Sequence, residues 1–196
     1  ISVYEYLDTV TQQNLLSLLR SGEMQEVMEE MSPDDRARLF EELPAKVVRQ
    51  LLDQLSPEER KVTAELLGYE AETAGRLMTT EYIALKENQT ALEALDIVRR
   101  RARDTETIYS LYVTDNERRL TGILSLRDLV TADPHTLIRD VMTEEVLSVR
   151  TNTDQEKVAR TIQRYDFLAV PVVDLEQRLV GIVTVDDVID VIEQEA

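Results

Sequence analysis

The sequence predicts a multi-domain α+β protein in which a superhelix of short α-helices precedes two copies of one small α/β unit. Three observations support this prediction. Residues 1–74 show helical periodicity and almost no strand signal, short segments within them begin at regular intervals, and a longer pattern occurs twice within residues 75–196. We therefore expect a helical domain over 1–74 and two related domains over 75–135 and 136–196.

The short helices are predicted from the residues that begin them. Met-Ser-Pro, Leu-Pro-Ala and Leu-Ser-Pro motifs start at the evenly spaced positions Met31, Leu43 and Leu55. Ser32 and Ser56 suit N-caps, and a proline after each suits the first helical position. Glu59 should complete a capping box with Ser56. Two further helices are predicted over 11–19 and 23–31. Helices of two to three turns are unstable alone, so we expect them to stack on one another.

The longer repeat is clearest around two matched glycines. Residues 120–129 read Leu-Thr-Gly-Ile-Leu-Ser-Leu-Arg-Asp-Leu, and residues 179–188 read Leu-Val-Gly-Ile-Val-Thr-Val-Asp-Asp-Val. Each copy has a turn glycine, a short β-rich run, and a hydroxyl and an acid that suit the start of a helix. Because the whole order of elements recurs, the alternative that these are only hairpin glycines is disfavoured.

The repeat also predicts the order of elements in each copy: strand, helix, strand, hairpin turn, strand, helix. Before the first helix of each copy, Met78 matches Met142. After that helix, Gly122 matches Gly181, and these two glycines are closer together along the chain than the two methionines are. The first copy should therefore carry an insertion of a few residues, about five, which we place near positions 99–106.

Composition narrows the possible functions. The chain has 196 residues, 39 acids against 22 bases, and a net charge of −17, which argues against nucleic-acid binding. Without cysteine, disulfides and thiolate metal sites are excluded. The single histidine, His135, lies in a predicted loop, and no nucleophile–base pair or phosphate-binding motif is evident. We therefore expect a protein that is not an enzyme.

Acidic residues form three groups in the second copy. They are Asp187 and Asp190 on the last helix, Asp154 and Glu156 at the start of an earlier helix, and Asp166 in Tyr-Asp-Phe. One interpretation is that each group is a solvated helix face or a helix cap. The other is that facing acids share a divalent cation, because Mg²⁺ and Ca²⁺ take oxygen ligands. The residues alone leave both interpretations open.

The order of elements within each copy resembles the CBS domain, which occurs in tandem pairs whose cleft holds adenine nucleotides. The whole chain resembles the cytosolic part of the MgtE family of magnesium transporters and channels. The resemblance rests on the short-helix superhelix and on Gly-Arg-Leu-Met-Thr at 75–79, Thr-Asn-Thr-Asp-Gln-Glu at 151–156, Tyr-Asp-Phe at 165–167 and Val-Gly-Ile-Val-Thr-Val-Asp-Asp-Val at 180–188.

This resemblance implies a magnesium sensor that closes a pore when Mg²⁺ is plentiful. It also implies a homodimer formed through the CBS pairs, at the cytoplasmic face of the membrane. The chain would be a piece of a longer, multi-pass protein, with the membrane pore domain following residue 196.

The resemblance further implies a set of Mg²⁺ ligands. By position these are Asp154, Glu156, Asp166, Asp187 and Asp190, with Glu30 or Asp34 opposite Asp187 and the Gly75 carbonyl near Asp166. Asn152 stands where an acid would fit the acidic pattern.

Two alternatives to magnesium sensing remain. In an adenine-nucleotide sensor, Asp128 would contact the ribose, Arg127 a phosphate, and Tyr109 or Tyr112 the base. Asp128 could equally be only a helix cap, and nucleotide binding need not exclude magnesium sensing. In the other alternative, the α-superhelix is a protein-docking scaffold.

Overall fold

The computed structural model describes residues 10–11, 14 and 21–194, so most of the helix predicted over 11–19 lies outside the described residues. The chain divides between Glu70 and Ala71 into two compact units. We call the described parts of these the helical unit, residues 21–70, and the paired-repeat unit, residues 71–194.

The helical unit is built from short helices in series. They are α1 (Ser21–Glu30), α2 (Pro33–Glu41), α3 (Ala45–Gln54) and α4 (Pro57–Leu67). The starts of the last three are evenly spaced along the chain, which confirms the predicted regular step. Because each helix is too short to be stable alone, its apolar face packs on its neighbours. The residues buried together in this core are Met28, Met31, Leu39, Phe40, Leu51 and Leu55.

The predicted capping box at the start of α4 is wrong in part. The Ser56 hydroxyl accepts a hydrogen bond from the Glu59 backbone N–H at 3.4 Å, as expected. The Ser56 backbone N–H, however, donates to Glu29 Oε1 at 2.9 Å. The Glu59 carboxylate pairs instead with the Arg36 guanidinium. A guanidinium is a stronger partner for a carboxylate than a neutral amide is, so the buried arginine takes it.

Arg36 is the polar centre of the helical unit. Its side chain is completely buried, and it is in ionic contact with Glu59 of α4. Nε donates to Thr63 Oγ1 at 2.8 Å, and Nη1 donates to the Met28 carbonyl oxygen at 2.6 Å. A buried charge is tolerated only when it is paired and hydrogen-bonded, and these contacts meet both conditions. Arg36 therefore ties α1, α2 and α4 together.

The paired-repeat unit contains the predicted order of elements twice. After a short entry helix, α5 (Ala74–Leu77), the first copy has β1 (Ala84–Lys86), α6 (Ala91–Arg101), β2 (Ser110–Thr114), β3 (Leu120–Ser125) and α7 (Leu126–Thr131). The second copy has β4 (Val149–Arg150), α8 (Gln155–Tyr165), β5 (Ala169–Val173), β6 (Leu179–Thr184) and α9 (Val185–Gln194), preceded by a 3₁₀ turn at Ile138–Asp140. The segment 102–109 of the first copy corresponds to only 166–168 of the second, which accounts for the predicted insertion.

The two copies have the same sheet topology. In each, the first strand is parallel to the second, and the second is antiparallel to the third, in the orders β1-β2-β3 and β4-β5-β6. The hairpins also match. Asp115 and Asp174 each accept hydrogen bonds from two backbone amides of their turn. Arg118 and Gln177 adopt positive φ angles of 67° and 63°.

The copies are interlocked because each entry segment pairs with the other copy. Thr79, which enters the first copy, exchanges backbone hydrogen bonds of 2.8 and 3.0 Å with Ile182 in β6. Thr143, which enters the second copy, exchanges bonds of 2.8 and 2.9 Å with Ile123 in β3. Each sheet is therefore extended by a residue of the other copy.

This interlocking explains the two glycines that the repeat shares. A Cβ atom at Gly122 would lie 2.5 Å from Met142 Sδ, and one at Gly181 would lie 2.5 Å from Met78 Sδ. Neither glycine has a positive φ. The repeat therefore keeps glycine for the close approach of the partner copy's methionine and not for a turn conformation.

Residues of β2 belong to two buried clusters in the described part of the paired-repeat unit. The core of the first copy contains Ile83, Leu85, Ala91, Ala94, Val98, Leu111, Val113, Leu124, Leu129 and Ile138. On the opposite side of β2, Tyr112 packs with Ala169, Leu179 and Ile182 of the second copy. The Tyr112 ring also meets the Tyr82 ring edge-on, with 6.2 Å between centroids. Strand β2 is thus buried on both faces.

Candidate metal and nucleotide sites

Asp34 is a buried carboxylate in the first turn of α2. It is 7% exposed, and its Oδ1 has no hydrogen-bond partner among the described residues. Burial, and to a lesser extent the neighbouring Asp35 carboxylate, raise the pKa of Asp34 to about 6. A carboxylate in this environment binds a proton more readily than usual, and it also gains more than an exposed acid from a nearby cation.

The raised pKa gives a prediction for stability. Between about pH 4 and pH 6 the folded chain keeps a proton on Asp34 that the unfolded chain releases, so stability falls as pH rises. We expect Asp34→Asn to raise the free energy of unfolding near pH 7.5 by about 2 to 3 kcal/mol, and to change it little near pH 4. Urea denaturation at both pH values measures this, with the exposed Asp53→Asn as control. An equal effect at both pH values would refute the assignment.

Glu30, the other candidate in the helical unit, is the last residue of α1. Its side chain is exposed. It therefore lacks the burial of Asp34.

Asp154 begins α8 as its N-cap. Its Oδ1 accepts hydrogen bonds from the backbone N–H groups of Glu156 at 3.0 Å and Lys157 at 3.3 Å. The Glu156 carboxylate accepts a hydrogen bond of 2.7 Å from Arg160 Nη2. The cap predicted as one interpretation of Asp154 is therefore present. Both capping hydrogen bonds go to Oδ1 of Asp154, so the cap does not involve Oδ2.

Gly75 lies against the loop that carries Asp154, and its expected place near Asp166 stays a prediction. The backbone N–H of Gly75 donates to the Thr151 carbonyl oxygen at 2.8 Å, and that of Ala74 donates to Thr153 at 2.7 Å. Asp166 follows the last residue of α8, in the left-handed conformation with φ of 52°. It is therefore about 18 Å along the helix axis from Asp154. Backbone hydrogen bonds, which the sequence pattern does not reveal, hold Gly75 against Thr151.

Asp187 lies in the first turn of α9 and is 8% exposed. It accepts a hydrogen bond of 2.7 Å from Thr184 Oγ1. The matched pair in the first copy is the same, with Ser125 Oγ donating to Asp128 Oδ2 at 2.5 Å. The hydroxyl and acid of the repeat thus begin a helix in both copies, as predicted. Asp190 lies in α9, and its side chain is outside the described part of the structure.

A closed protein site for a magnesium ion needs several oxygen ligands around one point. Within residues 10–11, 14 and 21–194, no group of three or more acidic, histidine or cysteine side chains is placed to hold one metal ion. Mg²⁺ usually keeps several waters and binds through one or two carboxylates. Asp34, with an oxygen that lacks a donor, fits this water-rich kind of contact. The described residues do not fit a closed protein cage.

Three of the four nucleotide candidates surround the start of α7. Arg127 and Asp128 are exposed in its first turn, and the Tyr109 carbonyl oxygen accepts a hydrogen bond of 3.0 Å from the Leu126 N–H. The Tyr109 side chain is 64% exposed. Tyr112, in contrast, is completely buried, and burial raises the pKa of its phenol. Because the second copy covers its face of β2, the prediction of Tyr112 as a base contact was wrong.

None of the described helices combines the length and the apolar character needed to cross a membrane.

Family models match nearly the whole chain. Residues 1–72 match the MgtE intracellular N domain, and residues 74–135 and 138–194 match the CBS domain. Among curated relatives, the magnesium transporter MgtE of Thermus thermophilus is 54% identical over 148 residues, which are 76% of this chain and 33% of the relative. MgtE of Bacillus subtilis is 43% identical over 169 residues, 86% of this chain and 38% of the relative. The chain thus spans about a third of the length of these relatives.

Solved structures extend the similarity to the fold. The cytosolic domain of the Mg²⁺ channel MgtE in complex with ATP is 47% identical, with a TM-score of 0.92 over 97% of this chain and 78% of that one. The soluble part of a magnesium transporter is 41% identical, with a TM-score of 0.90 over 98% and 86%. The chain therefore belongs to the MgtE family and consists of its N domain followed by a pair of CBS domains.

Proposed function

We propose that this chain is the magnesium-sensing regulatory part of a magnesium channel or transporter, at the cytoplasmic face of the membrane. The observation that carries the proposal is the Asp34 carboxylate, which is buried, has a raised pKa, and lacks a hydrogen-bond donor for Oδ1 among the described residues. A cation would supply the missing partner. The magnesium transport named for the family's longer members agrees with this chemistry.

Several acids of both units would hold the ion. They are Glu30, Asp34, Asp154, Glu156, Asp166, Asp187 and Asp190, with the Gly75 carbonyl as a further oxygen. Bound Mg²⁺ supplies two positive charges while keeping much of its water. The carboxylates themselves repel one another in a chain with net charge −17, and this repulsion favours separation of the units. Bound Mg²⁺ would neutralise these carboxylates and so reduce the repulsion between them.

The regulatory consequence is a closing of the helical unit and the CBS pair when Mg²⁺ is abundant. Such a shift requires only that the cation binds one arrangement more tightly than the other, and several weak sites can together provide the difference. We further propose that the chain forms a homodimer through its CBS pairs and acts on a pore domain of the same polypeptide.

Titration of the whole chain with Mg²⁺ by calorimetry tests this proposal. We expect the combination of Asp34→Asn and Asp187→Asn to weaken Mg²⁺ binding at least fivefold. A control pair, Asp53→Asn with Glu65→Gln, changes the net charge equally at exposed positions that are not candidates, and should alter affinity less than twofold. Equal weakening in both variants would show only a general charge effect. The absence of Mg²⁺ binding by the unaltered chain would overturn the proposal.

A second function is supported by the residues around the start of α7. We propose that Arg127, Asp128 and Tyr109 bind an adenine nucleotide such as ATP, the ligand named for the solved relative. All three side chains are exposed, so a phosphate, a ribose and a base could reach them. Nucleotide and magnesium binding use different candidate residues, so the two functions are compatible.

Two single variants separate nucleotide binding by Asp128 from its role in the helix cap. Asp128→Ala should weaken ATP binding at least tenfold, because it removes the proposed ribose contact. Ser125→Ala removes the capping hydroxyl and costs about 1 kcal/mol of stability, but it keeps the carboxylate, so ATP affinity should fall less than threefold. Calorimetry measures affinity, and thermal unfolding measures stability. Equal losses of affinity would assign Asp128 to the cap alone. Heat from neither Mg²⁺ nor ATP would favour the docking scaffold.

A further inference from the structure

A basic groove lies in the second copy of the paired-repeat unit. It has a volume of about 650 Å³ and runs between α8 and the strand segment around β4. Its charged lining residues are Arg150, Lys157, Arg160 and Arg164, and the described residues that line it include no acid. The hydroxyls of Ser148, Thr153 and Thr161 lie among them. Four cations in one groove are unexpected in a chain with net charge −17.

Three of the four cations are not neutralised within the described residues. The side chains of Arg150, Lys157 and Arg164 form no ion pair there. Arg160 pairs with Glu156 at 2.7 Å on the same helix, and the two side chains are 77% and 43% exposed. Such an exposed pair contributes little stability, so Arg160 is easily recruited by another anion. The groove therefore keeps a net positive charge.

The other copy of the repeat shows that the fold does not require two of these cations, Lys157 and Arg160. When the first helices of the two copies are aligned, Lys157 corresponds to Glu93, and Arg160 corresponds to Asp96. Glu93 is part of the capping box of α6, and Asp96 is 3.9 Å from Arg99 in an ion pair. Both copies form the same helix and the same sheet with opposite charges at these positions. A structural role common to the repeat therefore does not explain Lys157 and Arg160, whereas Arg150 and Arg164 correspond to the bases Lys86 and Arg100.

We propose that this groove binds closely spaced phosphate groups. Guanidinium groups match phosphate oxygens in a two-pronged geometry, and a lysine and hydroxyls add further donors. The Tyr165 ring is already stacked on Phe167 at 5.5 Å and has the Arg164 guanidinium 5.5 Å from its centre. We therefore assign the groove to phosphates and not to a nucleobase. The phosphates could belong to a soluble polyphosphate or to the headgroups of an anionic bilayer.

Calorimetry with sodium tripolyphosphate in magnesium-free buffer tests the groove on the whole chain. We expect the triple variant Lys157→Gln, Arg160→Gln, Arg164→Gln to bind at least tenfold more weakly than the unaltered chain. The matched control is Arg99→Gln, Arg100→Gln, Arg103→Gln in the first copy, which removes the same charge at exposed positions and should change affinity less than twofold. Circular dichroism verifies that both variants are folded. Equal weakening in both, or no binding by the unaltered chain, would overturn the proposal.

A variant that gains affinity makes the test sharper. Glu156→Gln removes the carboxylate that pairs with Arg160, so tripolyphosphate should bind at least threefold more tightly. An unchanged or weaker affinity would contradict the proposed role of Arg160.

Sedimentation with vesicles distinguishes the two phosphate sources, using phosphatidylglycerol with cardiolipin against phosphatidylcholine alone. Binding to the anionic vesicles that the triple variant loses assigns the groove to headgroups. Tripolyphosphate binding without vesicle binding assigns it to a soluble anion.

Discussion

Replacing Arg36 with alanine should lower the free energy of unfolding of the helical unit by about 4 kcal/mol. The substitution leaves the Glu59 carboxylate without its cation and leaves the Thr63 hydroxyl and the Met28 carbonyl oxygen without their donor. Breaking a buried ion pair from one side costs roughly 3–5 kcal/mol. A domain of about 70 residues is stable by only about 4–10 kcal/mol, so the variant should be largely unfolded in this unit.

Urea denaturation measures the loss of stability, and the amide hydrogen exchange of residues 21–70 shows which helices have unfolded. The control is Arg38→Ala on the same helix, whose side chain is 36% exposed and pairs with Asp35 one turn away. A pair within one helix turn that solvent still reaches contributes about 0–1 kcal/mol, so the control should remain folded. If Arg36→Ala retained the protection of α2 and α4, the buried network would not be what holds these helices together.

Replacing Gly181 with alanine should destabilise the paired-repeat unit by about 3 kcal/mol, at the upper end of what overpacking costs. The new methyl group would lie 2.5 Å from Met78 Sδ and 2.8 Å from the Thr79 carbonyl oxygen. The methionine side chain could move, but the Thr79 carbonyl is held by its hydrogen bond from Ile182. Relief would therefore require breaking the contact that interlocks the two copies.

The other glycine of the repeat provides the matched comparison. The three atoms nearest to a methyl group at Gly122 would all belong to the Met142 side chain, with Sδ at 2.5 Å. Gly122→Ala should therefore cost about 1 kcal/mol, and adding Met142→Ala should relieve the clash while it introduces a cavity. Chemical denaturation of both single variants measures the difference. Equal costs at the two glycines would contradict the role given to the Thr79 backbone.

Much of the fold could be predicted because its signals are local. The regular step of the helical unit and the hydroxyl–acid pairs Ser125–Asp128 and Thr184–Asp187 each involve residues close together in the chain. The capping box at Ser56 failed because Arg36, which lies in a different helix, competes for Glu59. The prediction that Tyr112 contacts the base was wrong for a related reason. The sequence of its strand does not show that residues of the second copy cover the side chain.

The candidate sites show the same limit. Asp154 could be recognised as a helix cap from its neighbours, but the position of Gly75 depends on a backbone hydrogen bond to Thr151, which is distant in the chain. The burial of Asp34 and the basic groove beside α8 both depend on how elements distant in the chain pack together. The cations of the groove occur in the sequence at positions 150, 157, 160 and 164, where helical spacing alone does not distinguish them from an ordinary solvated face.

We propose that Mg²⁺ holds carboxylates of the helical unit and the CBS pair together, and small-angle X-ray scattering tests this proposal most directly. Scattering should be recorded from the whole chain with a chelator and with saturating Mg²⁺, at a verified and constant oligomeric state. We predict a smaller radius of gyration with Mg²⁺, a change that Asp34→Asn with Asp187→Asn abolishes and that Asp53→Asn with Glu65→Gln retains. Superimposable profiles of the unaltered chain under the two conditions would contradict the claim.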